Sequence, residues 1–266
     1  MKLKVLVDNN TFIDMYYLGE PAVSYYIEDN DNKILFDTGY SNVFIENAKK
    51  MNIDLDEINK IVISHGHNDH TRGLMYLTNE NRNIELISHP NTFNHKEIDK
   101  EDIGSPLSIK ELEKIYKLNL TKEPIKISEN ITYLGEIPQT NDFEIREQIG
   151  YCKINNKIID DYNVDDSAIV YKSNKGLFII TGCSHSGICN IIEYAKKVCN
   201  CNKIYGVIGG FHLFEINERL EKTINYLKEN DIELIYPCHC VSLKSKIEMS
   251  KKLKIQEVGT GLNINI

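Results

Sequence analysis

The sequence predicts an α/β protein built from two similar halves. Two observations carry this. First, KILFDTGYSN, a helix, KIVISHGH, a helix and IELISHP in the N-terminal half are matched later by GLFIITGCSH, a helix, YGVIGGFH, a helix and IELIYPCHC. Self-similarity of this length points to a duplicated αβ unit. Second, the Thr-Gly turns and the histidines fall at the C-terminal ends of predicted strands, where α/β proteins bind ligands. The duplication predicts sheet packed on sheet with helices outside, and histidines of both halves meeting at one edge.

The elements follow in order. KLKVLV (2–7), SYYIE (24–28) and KILFD (33–37) are short β-rich runs. Residues 41–51 place Val43, Phe44, Ala48 and Met51 at helical spacing. Asp54 is placed to cap a short turn before the strand KIVIS (60–64). A helix is expected after the histidines that follow, then the strand IELIS (84–88). SIKELEKIYKL (108–118) reads as a helix and PIKISENITYLG (124–135) as two strands or a hairpin. The rest of 91–165 is polar and poorly patterned, which suggests an irregular insertion or lid. Order returns with SAIVYKS and GLFIITG (176–182), a helix from Ile188 to Val198 and the strand YGVIGG (205–210). An amphipathic helix over Glu218–Glu229, the strand IELIYP (232–237), a helix over Leu243–Leu253 and a short final strand complete the chain.

Composition narrows the class. The 266 residues suffice for a large single domain or two small ones. Hydrophobic content of 41% and charged content of 26% are those of a soluble globular protein. A net charge of −8 argues against nucleic acid as a bulk electrostatic partner. MKLKVLVDNN enters a strand without a signal-peptide pattern, and no run approaches a membrane span, so a cytoplasmic protein without membrane contact is expected. Seven scattered cysteines, none in a C-x-x-C pair, read as free thiols. The oligomeric state is not legible.

The chemistry concentrates in SHGHNDH (64–70), directly after the apolar run Ile61-Val62-Ile63. His65 and His67 are two apart, so on extended backbone both imidazoles reach one metal. Gly66 permits a sharp loop. Asp69 and His70 point elsewhere and suit a second metal. A carboxylate among imidazoles fits Zn, Fe or Mn better than Ca or Mg. A lone histidine is ordinarily a satisfied polar residue, but four ligands in six positions after a buried strand mark a metal site.

His65-Gly66-His67-Asn68-Asp69-His70 resembles the H-x-H-x-D-H motif of the metallo-β-lactamase superfamily. Asp37-Thr38-Gly39 resembles that superfamily's first motif, and Tyr236-Pro237-Cys238-His239 sits where its last metal-binding histidine is expected. TGCSHSGI (181–188) and GVIGGFHL (206–213) are similar to a subgroup of metal-dependent hydrolases that includes a dihydropterin ribofuranosyl-aminobenzene-phosphate synthase of methanopterin biosynthesis. The resemblance covers nearly the whole chain. It implies a single αββα metallo-β-lactamase-like sandwich over residues 1–266, and a dinuclear site. His65, His67 and a third ligand would hold metal one; Asp69, His70 and His239 would hold metal two. Zinc is the first expectation, with iron or manganese able to use the same ligands.

The sequence departs from the family at the third ligand. Val164-Asp165-Asp166 stands where a P-G-H is usual, and Cys183 where a bridging carboxylate is usual, with His185 two residues on. His185 is the expected ligand, since a turn after Thr-Gly should face the site. Cys183 is either a thiolate ligand or a small residue packed beneath the metal. Asp166 is a ligand or an orienting group. His212, which parallels His67 in the duplication, is expected at the same mouth as a substrate-facing, catalytic or auxiliary metal residue. Asp37 either orients a histidine or caps the 41–51 helix. Arg72 replaces a glycine common in the resembling sequences; it either binds a substrate carboxylate or phosphate or is a solvated arginine. His89 and His95 read as loop residues.

The expected function is hydrolysis of a small molecule by a metal-activated hydroxide, with Asp69 orienting the nucleophile. One alternative is a C–N bond-forming transferase on a dihydropterin pyrophosphate, though no cluster of basic residues for two phosphorylated substrates is evident. A second is a non-hydrolytic redox or metal-binding protein on the same fold.

Overall fold

The strand runs of the two halves pair in the same order. The computed structural model describes residues 1–77, 83–155 and 157–266. It divides into two compact units, one made of Met1–Lys122, Gln148–Asp165 and Gly259–Ile266, the other of Glu123–Glu147 and Asp166–Val258.

The first unit holds β1 (Lys2–Val7), β2 (Ser24–Asp29), β3 (Asn32–Phe36), β4 (Lys60–Val62), β5 (Glu85–Ser88), β6 (His95–Ile98), β7 (Glu101–Asp102), β8 (Lys117–Leu120), β11 (Tyr151–Ile154), β12 (Lys157–Asp160) and β17 (Asn263–Asn265). Its helices are α1 (Val43–Lys50), α2 (Asn68–Thr71) and α3 (Ile109–Leu112). A seven-stranded sheet runs β17-β1-β2-β3-β4-β5-β8 and a four-stranded one β12-β11-β6-β7. The second unit holds β9 (Ile125–Lys126), β10 (Ile131–Tyr133), β13 (Ala168–Ser173), β14 (Gly176–Thr181), β15 (Ile204–Gly209) and β16 (Leu234–Pro237) in one sheet of order β16-β15-β14-β13-β10-β9. Its helices are α4 (Ile188–Cys199), α5 (Glu218–Glu229) and α6 (Leu243–Ser250).

The duplication is a shared topology. β1-β2-β3 pair antiparallel and β3-β4-β5 parallel. Likewise β10-β13-β14 pair antiparallel and β14-β15-β16 parallel. Parallel strands joined by crossovers are covered on both faces, so they read as continuous apolar runs. GLFIIT of β14 is buried at every position. Leu6, Leu35, Phe44, Ile61, Leu74 and Leu86 form the first unit's core; Val170, Ile179, Ile191, Val207, Ile224 and Leu227 form the second's. Among the described residues no helix is long and apolar enough to cross a membrane.

Two expectations change. The helix expected over 108–118 is short: Ser108 and Glu111 close a capping box, α3 ends at Leu112, and the chain turns into β8 beside β5. Pairing with a sheet edge outweighs helical spacing there. The two strands expected over 124–135 are β9 and β10, while the poorly patterned remainder of 91–165 carries β6, β7, β11 and β12. Their patterning is weak because β12 is exposed at all four positions and β11 is only half covered.

Each parallel strand delivers a polar turn at its C-terminal end. In the first unit the turns after β3 and β4 interlock. Thr38 N and Oγ1 both donate to His70 O, at 2.8 and 3.0 Å, and Gly73 N donates to Gly39 O at 3.1 Å. A Cβ on Gly73 would lie 1.9 Å from Thr38 O. Gly73→Ala is therefore expected to destabilise by roughly 1–3 kcal/mol or more through overpacking, as a lowered urea midpoint; an unchanged midpoint would contradict the interlock.

Candidate metal centre

In the first unit the centre is organised around Asp37. It follows β3 with φ 56°, a left-handed conformation that aspartate tolerates better than most residues. Its fully buried carboxylate accepts from Ser64 N and Ser64 Oγ, each at 2.7 Å, and lies 2.7 Å from His70 Nδ1. Ser64 Oγ is also 3.0 Å from His65 Nδ1. One carboxylate thus fixes His70 directly and His65 through a hydroxyl. With Nδ1 of each ring engaged, Nε2 is the atom left to face a ligand. Asp37 is an orienting residue; the helix-capping alternative fails, since the N-cap of α1 is Asn42.

His65 Nε2 and His67 Nδ1 approach to 3.0 Å, so the i, i+2 spacing does bring both rings to one point. Asp69 Oδ2 lies 3.5 Å from His70 Nε2, on a side chain 27% exposed. This pair is the second cluster of the unit. Burial together with the nearby Lys96 charge pushes His67 down to about 4, leaving it neutral near pH 7. For His70 burial works against the charged form, but Asp69 and Asp37 outweigh it and hold the ring well above the usual range.

The second unit supplies its donors from the turns after β14, β15 and β16. Cys183 and His239 are buried, and their ligand atoms lie within 4.8 Å of each other. His185 and His212 bring their ring centroids to 4.4 Å, and His212 meets Phe214 edge-on. Ser184, His212 and His239 all have positive φ. Ser184 Oγ donates to Gly210 O at 2.7 Å and Cys238 N to Gly209 O at 2.9 Å, which ties the three turns together. Asp166 Oδ2 accepts from Ser186 N at 2.9 Å, next to His185. Asp166 Oδ1 is buried without a hydrogen-bond partner among the described residues. Burial pushes this carboxyl up to about 6, although Ser186 and Arg146 favour its charged form.

The other candidates sit as follows. Arg72 Nη1 donates to Tyr40 Oη, and its guanidinium lies 4.4 Å above that ring, so it is stacked rather than freely solvated. His89 is buried and accepts from Asn91 N at its turn. His95 is half exposed beside Glu97 and Asp102. Sequence reasoning missed Ser64, Lys96, Glu144 and Arg146. Ser64 was legible as the residue opening the cluster; Lys96 fell in the polar, poorly patterned stretch after residue 91, where nothing marked it as buried.

The donors fit divalent transition metals. Paired imidazole nitrogens, a carboxylate against an imidazole and a thiol beside an imidazole are the ligand types of Zn, Fe and Mn sites.

Comparison with known proteins agrees with this donor chemistry. Residues 18–239 match the metallo-beta-lactamase superfamily. The chain belongs to that superfamily. It is 34% identical over 252 residues to an uncharacterised protein of Methanocaldococcus jannaschii, covering 94% of each chain. It is 32% identical over 270 residues to the 7,8-dihydropterin-6-methyl-4-(beta-D-ribofuranosyl)-aminobenzene-5'-phosphate synthase of the same organism, covering 96% of this chain and 92% of the synthase. Among solved structures it resembles Tm1679, described as a metal-dependent hydrolase of the beta-lactamase superfamily, with TM-score 0.87, 28% identity and coverage of 100% and 99%. A diphosphatase of the PhnP family shares the fold, with TM-score 0.58, 14% identity and coverage of 100% and 97%. The superfamily assignment and its mixed α/β fold thus agree with the sequence expectation.

Asp166 gives a pH test in metal-free protein. Its folded pKa, about 6, exceeds the unfolded 3.8, so the native state binds more protons between these values. Stability from this group is present below about pH 4 and is lost as pH rises to about 6, by roughly 3 kcal/mol in all. Asp166→Asn should remove that slope. The variant should gain about 2–3 kcal/mol on wild type between pH 4 and 7 in urea titrations; parallel curves would contradict the assignment.

Proposed function

We propose that this chain is a metal-dependent hydrolase of a small molecule. The observation that carries the reading is the Asp37 network: a buried carboxylate orienting two imidazoles is how histidine ligands of a metal are held. His65, His67 and His185 would hold one ion. Asp69, His70 and His239 would hold the other, with Cys183 the candidate thiolate in place of a carboxylate. Divalent ions held there, zinc first and iron or manganese second, would supply Lewis acidity and activate water for attack.

The chain's own residues then do the rest. Asp69, partly exposed, would orient the attacking water and take its proton on a carboxylate oxygen. His212, beside His185, is the candidate acid: entering protonated, it would give that proton to the leaving group and regain one from solvent, while Asp69 releases the water's proton to solvent. Asp37 keeps His70 oriented throughout. Arg72, held against Tyr40, is the candidate contact for a substrate carboxylate or phosphate. The net charge of −8 favours small-molecule substrates over nucleic acid.

A second reading is favoured by the 32% identity to the synthase over nearly the full chain. It is C–N bond formation on a dihydropterin pyrophosphate, in which metals held by the same residues would bind the diphosphate leaving group. Hydrolysis is preferred because, Arg72 apart, the buried basic side chains beside the donors are engaged within the protein. Lys96 is paired with Asp161 and Asp165, and Arg146 donates to Ile137 O and Ser186 Oγ.

The test is elemental analysis of protein purified anaerobically without added metal, as wild type and as His67→Ala with Asp69→Ala. About two ions per chain in wild type, largely lost in the double variant, are expected. Fewer than about half an ion per chain, unresponsive to added Zn, Mn or Fe, would sink the reading. Turnover of esters, lactones or phosphodiesters supports hydrolysis. Diphosphate release only when a dihydropterin pyrophosphate meets an aminobenzene acceptor would replace it with the transferase. Asp37→Asn should weaken metal binding by about 10–100-fold in a chelator competition; unchanged affinity would contradict its orienting role.

A further inference from the structure

Lys96 is a strand lysine only 1% exposed. Its Nζ donates to Asp161 Oδ2 at 2.7 Å, Asp165 Oδ1 at 2.9 Å and Asn163 Oδ1 at 3.3 Å. All three acceptors are buried. The other oxygen of Asp165 accepts from Gly66 N at 2.8 Å. Gly66 is the residue between His65 and His67. A Cβ there would lie 2.0 Å from Thr92 O and 2.8 Å from Lys96 Cε, so the turn rests directly on this cage.

We propose that Lys96 and Asp165 are positioning residues that set the His65-Gly66-His67 turn for its metal, with Asp165 as the strut and Lys96 as its anchor. The inference rests on the metal-dependent reading above. A carboxylate that bonds an ammonium through one oxygen and a backbone amide through the other has no freedom to rotate. The Gly66 peptide is thereby fixed in place, and with it the direction of the flanking imidazoles. The bonds of the cage reach the His65-Gly66-His67 turn through Gly66 N, whereas the His70 ring is oriented by Asp37. The cage should therefore act on one of the two metals and not on the other.

Lys96 lies close to the start of segment 91–165 and Asp165 at its end. The segment returns to itself under the histidine turn. Its ends serve to position the metal ligands, a role separate from any contact its exposed strands make with substrate.

The experiment measures zinc affinity at both sites by competition with a chromophoric chelator, in wild type, Asp165→Asn, Asp165→Ala and Lys96→Met. Circular dichroism and thermal melts of the metal-free proteins run alongside. Asn keeps the shape and one acceptor oxygen, so it folds most readily and carries the test should the other variants fail to fold. The expected result is an order, wild type tighter than Asn tighter than Ala, with one zinc weakened about 10–100-fold and the other unchanged. Lys96→Met should follow Asp165→Ala. Unchanged affinity at both sites in a folded variant would overturn the proposal. Equal weakening of both sites, in step with a lowered melting temperature, would also overturn it, since that is the signature of a purely structural cage. Wild-type protein that binds no zinc would instead remove the metal reading itself.

Discussion

The Asp37 carboxylate is the constraint on which the first unit's donors depend. It sits in a left-handed turn at the end of β3, fully buried, and three hydrogen bonds converge on it. A buried carboxylate is costly unless each lone pair is used. Here the partners are a backbone amide, a hydroxyl and an imidazole on the next turn of the chain. Satisfying the charge therefore aligns the turns after β3 and β4 and orients His65 and His70 in one step. The packing of Gly73 on Thr38 secures the same alignment from the backbone side.

The second unit achieves a similar end by different means. Its turns after β14, β15 and β16 are joined by Ser184 and by backbone bonds between glycine-containing turns. A buried carboxylate is present there as well. Glu144 accepts from Cys189 N and Asn190 N at the start of α4, the helix that follows the His185 turn. An anion at that end of a helix meets unpaired amides and the positive end of the dipole. Duplicated topology thus carries two different polar scaffolds, each placing donors at the C-terminal ends of parallel strands.

Much of this was legible in the sequence. The repeated strand–turn–helix plan was readable as a duplicated αβ unit, because buried strands leave continuous apolar runs. His65 and His67 could be paired from spacing alone, since extended backbone returns a side chain to the same face every second residue. Lys96 and Asp165 were not legible as partners. In a sequence a lysine among acids reads as a solvated side chain, and the acids that hold Lys96 lie 65 and 69 residues away. For the same reason residues 91–165 read as irregular: strands with exposed apolar residues and buried charges invert the usual pattern. The 108–118 helix stops at Leu112, and from Lys117 the KLNL run pairs with the edge of β5.

The imidazoles oriented by Asp37 are the groups proposed to hold metal. X-ray absorption at the edge of the native metal tests this most directly. The account predicts strong multiple scattering from several imidazoles per ion, with sulfur scattering present only if Cys183 is a ligand. A shell of oxygen atoms alone, with no imidazole signature, would contradict it.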